Sequence, residues 1–422
     1  MPALDRLLNR KPAHRILWGL ERTSAMLHSL GDPHRAFDSI HVGGTNGKGS
    51  TSAMIESVLR ASGQITGLYT SPHLCEFAER IRVRGVPAGR ALLEECAEDV
   101  LIVAEREDAS FFESTTVLAF EVFRRSGCRV VVAEVGLGGR LDATNVLEPR
   151  VSVVSSVDRD HSNYLGDTLE EIAAEKAGIL KPGVPVVVGQ MDSAALGVLA
   201  ARAIDLGAPI EVLGREFSVD DVSTDLGGTG FRYRSDGWAD GLQVRISLVG
   251  EHQARNSSLA IRSLERTASG VSPEDIVSGM GSAVWPGRFE VLSSRTGGWV
   301  LDIAHNPQAV ATLAAMLEEL PVPRPLVLLL SILGDKSWKE MLEPLLAVVS
   351  AAVFTIAPSS PAERRWNLEE ARDAAGRWPV VLESDFRAAM TQARELAGVG
   401  TVVVTGSAHT VGDARRLITS DI

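Results

Sequence analysis

The chain has 422 residues, 45% of them hydrophobic and 23% charged, with a formal charge of -12 at pH 7. That length can bury a sizeable core and hold two or three domains, and the composition excludes a disordered or fibrous chain. The acidic balance argues against nucleic acid as a partner, which needs clustered Lys and Arg, but leaves small anionic substrates open.

Cys75, Cys96 and Cys128 show no C-x-x-C spacing, so no disulfide framework or zinc knuckle is indicated and a reducing compartment is expected. The opening MPALDRLLNRKPAHRILWGLERT carries a charge every few residues. No later run reaches the ~18 apolar residues of a membrane span, so a cytoplasmic protein without membrane contact is expected.

Short β-branched runs alternate with helical stretches, the pattern of a parallel sheet covered on both faces. Strands are expected at 39–42, 65–69, 129–135, 151–155 and 184–188, and helices at 50–61, 92–105, 115–124 and 169–179. This predicts an α/β doubly wound architecture for residues 1–292. Between 210 and 248, turn-rich text such as DLGGTGFRYRSDGW predicts a small antiparallel appendage, and helical pattern returns at 253–268. The polar SSRTGG, 293–298, is expected as a linker to a second α/β series over 299–422, with strands near 299–303, 326–330, 352–356, 380–382 and 401–405. There is no internal repeat or low-complexity tract.

HVGGTNGKGST, His41 to Thr51, stands between an apolar strand and a helix. It departs twice from the phosphate-binding pattern G-x-x-x-x-G-K-[ST], with Val42 at the first glycine and Gly49 at the hydroxyl that holds magnesium. The N–H groups from Gly43 to Ser50 and the helix N-terminus still suit an anion, and Lys48 would add a point charge to the phosphates. An ordinary glycine-rich turn is the plain alternative.

Hard oxygen ligands for magnesium must then come from neighbouring strand ends. Three stretches qualify: GLYTSPHL with Ser71 and His73, VVVAEVGLGGRLDATN with Glu134 and Asp142, and VVSSVDRDHSNYLG with Asp158, Asp160 and His161. Ser71 before Pro72 could simply start a turn, and His161 could be a satisfied loop histidine. Glu134 inside a valine run is expected to be paired or to bind a cation. Lys176, beside Glu175 in EEIAAEKAGIL, reads by spacing as part of a solvated helix face. Arg288 in WPGRFE, and Asp302 with His305 in LDIAHNP, stand by a strand of the second domain, facing the expected cleft. A helix cap by Asn306 before Pro307 is the alternative there.

In order, GTNGKGS, GLYTSPHL, ERIRV, EVGLGGRLDATN, DHSNYLG, EKAGIL, PGRFE, DIAHNP and TGSAHTVGDAR resemble the folylpolyglutamate synthase and dihydrofolate synthase family of the Mur ligase superfamily, over nearly the whole chain. The resemblance implies an ATP-dependent amide ligase with a P-loop domain and a smaller Rossmann-like C-terminal domain enclosing the active site. It places the triphosphate of ATP on Asn46, Gly47, Lys48, Gly49 and Ser50, one Mg2+ on Ser71 and Glu134, and a second on Glu134 and His161. Lys176 matches a lysine carbamylated in the family, which replaces the solvated-face reading by a carboxylate-like metal ligand.

Asn256, Arg288 and Asp302 match nucleotide contacts, and His305 matches a group near the γ-phosphate and the incoming amine. Pterin-side contacts fall on Ser110, Phe111, Phe112 and Glu113, on Leu141, Asp142 and Ala143, and on Gly19 and Leu20. Ser407 and His409 are candidates for the glutamate pocket, with a glycine-started turn as the alternative.

The implied reaction adds L-glutamate to dihydropteroate or to a folate through an acyl phosphate, releasing ADP and phosphate. One monomeric enzyme is expected to perform both ligations, with Lys48, Lys176, Asp302 and His305 as its catalytic group. A cell-wall amino-acid ligase is the nearest rival, but those enzymes carry a further N-terminal domain, and only about 40 residues precede this loop. An inactive nucleotide-binding protein is the other rival; it would be expected to lack some of these groups.

Overall fold

Valine-rich runs become central strands here because helices cover them on both faces, leaving no side for polar alternation. In the computed structural model, which describes residues 1–10, 19–160, 162–267, 270–294 and 297–420, the first sheet has eight strands. They are β1 (Asp38–Gly43), β2 (Thr66–Tyr69), β3 (Ile81–Val83), β4 (Val86–Pro87), β5 (Val130–Glu134), β6 (Val151–Val154), β7 (Val186–Val188) and β8 (Ile210–Val212), in the order β4-β3-β2-β5-β1-β6-β7-β8. The six strands from β2 to β8 in that order run parallel, and β3 and β4 add an antiparallel edge. Val42 pairs with Glu134 and Gly43 with Val154, so the loops leaving β1, β2, β5 and β6 share the carboxyl edge of the sheet, where open α/β sheets bind ligands.

One face buries Leu93, Val100, Phe120 and Phe123 against β2 and β5, and Ile172, Ile179, Leu199 and Ala203 form a cluster with Val154, Val186 and Val188. Each fully buried large side chain contributes about 1.5–3 kcal/mol. Close approach is bought by small residues: a Cβ on Gly67 of β2 would lie 2.7 Å from the Phe123 ring.

A three-stranded sheet follows, β9 (Ser218–Asp225), β10 (Gly228–Arg234) and β11 (Leu242–Ile246), ordered β11-β10-β9. The appendage expected over 210–248 is therefore shorter. Ile210 pairs in parallel with Val186, because this short apolar run completes the edge of the main sheet.

The last sheet is β12 (Glu290–Ser294), β13 (Gly297–Leu301), β14 (Leu326–Leu330), β15 (Ala351–Phe354), β16 (Val380–Leu382) and β17 (Thr401–Thr405), in the order β12-β13-β17-β14-β15-β16. Only β12 is antiparallel in it. This corrects the linker expected at 293–298: Ser293 and Ser294 pair with Gly298 and Gly297 as strand ends. Small polar residues and glycines serve a hairpin as well as a linker.

The chain divides into two units. The first holds Met1–Val222, Gly230–Ile246 and His252–Val284; the second holds Ser223–Thr229, Ser247–Glu251 and Trp285–Ile422. The division thus comes before residue 292 and takes two short stretches from the middle of the chain into the second unit. Among the described residues, no helix is long and apolar enough to cross a membrane.

Candidate active site

In the first unit, β1 ends in a loop that needs glycine twice. Gly44 has φ 139° and Gly47 has φ 84°, a region costly for residues with a Cβ. A Cβ on Gly44 would lie 2.1 Å from Ser155 Oγ, and one on Gly47 2.4 Å from Asn256 Oδ1. The loop backbone is held from β6: Ser155 Oγ donates to the Asn46 carbonyl (2.6 Å) and Asn46 N donates to Ser156 Oγ (2.9 Å). Thr45 Oγ1 in turn accepts from Asp158 N at 3.1 Å. Sequence reasoning passed over Ser155 and Ser156; their signal is a serine doublet leaving a valine strand.

The helix Lys48–Ala61 starts directly after Gly47, with Gly49 and Ser50 buried in its first turn. Its first-turn N–H groups and dipole favour an anion at that end. Lys48 Nζ donates to the Thr45 carbonyl at 3.0 Å, and Lys176 Nζ donates to the Gly44 carbonyl at 3.0 Å.

Lys176 is only 3% exposed, which corrects its reading as a solvated side chain. The helix Leu169–Ala177 turns Lys176 inward while its neighbour Glu175 pairs with Arg140 at 2.8 Å. Burial, then the charge of Lys48, lowers the Lys176 pKa to about 7, against the opposing pull of Asp160 and Asp158.

Adjacent strands β2 and β5 bring Ser71 and Glu134 together. Ser71 N donates to Glu134 Oε2 at 3.1 Å, and Glu134 is 5% exposed. The pair offers a hydroxyl and a carboxylate, hard oxygen donors that suit magnesium. Among the described residues no group of three or more His, Cys, Asp and Glu is placed to hold a metal ion. His161 lies outside the described residues. Arg80, also missed in the sequence, is buried nearby; its Nε donates to His73 Nδ1 at 2.9 Å, and the charge of Glu134 acts on it.

The expected pterin-side residues converge in part. Ser110 caps the helix Phe111–Arg125 in a capping box with Glu113, and Glu113 pairs with Arg22 at 3.0 Å, in the first turn of the helix Glu21–Ser29 that follows Gly19 and Leu20. A Cβ on Gly136 would meet Phe112 at 2.3 Å and Asp142 Oδ2 at 3.1 Å, so these two side chains flank one glycine. Arg80 lies over the Phe111 ring at 5.6 Å. Asp142 accepts from the N–H groups of Gly136, Leu137 and Thr144, and burial raises its pKa. It frames the Leu141–Ala143 turn.

In the second unit, Asp302 leaves β13 and accepts from Phe289 N and Ala304 N, each at 2.8 Å. Burial raises its pKa, opposed by Arg288. His305 Nδ1 donates to the Ile303 carbonyl at 2.9 Å, which places a proton on Nδ1. Asn306 caps the helix Pro307–Glu319 through Ala309 N, as its alternative reading held. Ser407 Oγ accepts from Thr410 N at 3.1 Å, so its hydroxyl starts the last helix, and His409 Nδ1 meets Ser359 Oγ at 3.1 Å.

Residues 42–264 match the Mur ligase middle domain and residues 287–409 the Mur ligase glutamate ligase domain. The folylpolyglutamate synthase of Lacticaseibacillus casei is 38% identical over 81% of each chain. The dihydrofolate synthase/folylpolyglutamate synthase of Bacillus subtilis is 32% identical over 94% of each. This chain belongs to the folylpolyglutamate synthase and dihydrofolate synthase family.

Structures of this family share the whole architecture. Mycobacterium tuberculosis folylpolyglutamate synthase complexed with ADP superposes with a TM-score of 0.89 at 33% identity, covering 98% of this chain and 96% of that one. The E. coli FolC in complex with DHPP and ADP gives 0.88 at 30% identity, covering 100% and 98%. In this family member, Lys48, Ser71, Glu134, Lys176 and Asn256 fall in the middle-domain match, and Arg288, Asp302, His305 and Ser407 in the glutamate ligase match.

Proposed function

We propose that this chain is an ATP-dependent ligase that joins L-glutamate to dihydropteroate and to folates already bearing glutamate, releasing ADP and phosphate. The observation that carries this reading is the convergence of Lys48 and Lys176 on one glycine-built loop beside the Ser71–Glu134 pair. The relatives named for these two ligations lend it support.

A carboxylate is a poor electrophile, so its oxygen first takes the γ-phosphoryl of ATP. The amine of glutamate then attacks the acyl carbon, and the C–O bond to phosphate breaks as the amide forms. In this reading the N–H groups of Asn46 to Ser50 and Lys48 hold the phosphates, which is the main catalytic need of such a step. Ser71 and Glu134 would hold magnesium, with His161 the candidate for a second ion; bound there, magnesium neutralises phosphate charge.

A lysine with a pKa near 7 is in large part a free amine at neutral pH. Lys176 can therefore attack carbon dioxide, forming an N–C bond and losing a proton, which yields a carbamate beside the loop. Asn256, Arg288 and Asp302 are assigned to the nucleotide, His305 to proton transfer at the amine, and Phe112 with Leu141 to Ala143 to the pterin.

The test is ADP release by the purified chain with magnesium. Release should require L-glutamate together with dihydropteroate or monoglutamyl tetrahydrofolate. Equal release with a muramyl nucleotide and an amino acid, without any pterin, would overturn the assignment.

A further inference from the structure

The first unit carries a cavity of about 290 Å3 away from the phosphate loop, lined by Arg60, Arg82 and Arg84. Arg60 lies 12 residues beyond Lys48 on the helix Lys48–Ala61, about 18 Å along its axis at the usual helical rise. Glu56 is the acidic residue in the lining. Its carboxylate accepts from Thr66 Oγ1 at 2.5 Å and lies 3.5 Å from Arg60 Nε. The lining thus holds three arginines and one carboxylate, in a chain of net charge -12.

The β3–β4 turn is what makes this cluster unusual. Val83 pairs with Val86, leaving Arg84 and Gly85 as a two-residue loop with φ of 53° and 78°. Such turns favour Asn-Gly or Asp-Gly, because short polar side chains tolerate left-handed backbone. An arginine there is strained, and strain of this kind gathers where function requires the residue.

Gly85 supplies the second half of the device. A Cβ on it would lie 2.7 Å from Arg60 Nε, so the missing side chain admits the Arg60 guanidinium against the turn. Arg60 Nε is buried and makes no hydrogen bond, and its Nη2 donates to Ser57 Oγ at 3.1 Å. Arg84 has no carboxylate partner among the described residues. Val86 and Val284, 63% and 67% exposed, give the rim an apolar side.

We propose that this cavity is a second anion site, separate from the phosphate loop, for a small organic dianion. Its oxygens would pair with Arg60, Arg82 and Arg84, which suit phosphate or carboxylate in fork geometry, and its carbon body would rest on Val86 and Val284. The site stands independently of the ligase reading.

Calorimetric titration of the full chain, with its phosphate loop saturated by magnesium and ADP, tests this with glycerol 3-phosphate and with succinate. One or both probes should bind once per chain, and the better binder tells whether phosphate or carboxylate is preferred. Arg84→Gly keeps the turn conformation open while deleting the charge; it and Arg60→Gln should each weaken binding at least about tenfold with ADP affinity unchanged. No binding of either probe at about 10 mM, or variants that bind as tightly as the parent, would overturn the proposal.

Discussion

Lys176 Nζ donates to the Gly44 carbonyl at 3.0 Å, tying a buried amino group from a distant helix to the phosphate loop. The bond is costly to keep, since burial and Lys48 both disfavour the charge. Lys176→Met fills similar space without an amine. It should lower ADP release at least about a hundredfold if the amine acts in phosphoryl transfer, while the thermal midpoint holds or rises because a buried charge is gone. A variant with parental turnover would remove Lys176 from the mechanism.

Gly47 tests the loop geometry. With φ 84° and Asn256 Oδ1 2.4 Å from where a Cβ would stand, Gly47→Ala must distort the turn or displace Asn256. A loss of about tenfold or more in ADP affinity is expected, with destabilisation of about 1–3 kcal/mol. Equilibrium dialysis with ADP and a urea titration read the two effects separately. Unchanged ADP affinity would show that the loop does not hold the nucleotide.

The strands were legible because runs such as Val130–Val132 are buried on both faces and leave no competing periodicity. Lys176 was not, since its neighbour Glu175 is on the surface and adjacent residues on a helix face different ways. Helix caps were the other ambiguity. Ser110, Asn306 and Ser407 each accept from a backbone N–H at a helix start, and a serine or asparagine before a helix looks the same in sequence whether it caps or contacts a ligand. Ser155 and Ser156 show the converse: their partners lie about 110 residues away, a distance no local pattern encodes.

Glu134 and Ser71 meet through a backbone N–H and a carboxylate oxygen. Glu134→Gln keeps an acceptor for that N–H but removes the charge that would hold magnesium. The magnesium concentration for half-maximal ADP release should rise at least about tenfold, since replacing a charged ligand by a neutral one weakens binding of a hard cation. The same variant should unfold within about 1 kcal/mol of the parent. If its magnesium curve overlays the parental one, Glu134 is not a ligand.

His41 predicts a pH dependence that owes nothing to catalysis. The ring is fully buried in β1, with Nε2 2.8 Å from Thr144 Oγ1 and Nδ1 unbonded. Thr144 Oγ1 already donates to Asp142, so His41 must donate from Nε2 and keep Nδ1 as a bare acceptor. Burial first, then the charge of Lys181, lowers its pKa from 6.5 to about 3.

Above pH 6.5 the ring is neutral in both folded and unfolded chain and contributes no slope. As pH falls below that value the unfolded chain binds a proton that the folded chain refuses, so stability declines by up to about 1.4 kcal/mol per pH unit until about pH 3. His41→Gln retains a neutral amide and cannot titrate. Between pH 7 and pH 4.5 the first unit of the parent should therefore lose about 2–3 kcal/mol more than that of the variant, measured by urea unfolding at each pH. Parallel losses in the two proteins would mean that His41 takes up its proton in the folded state.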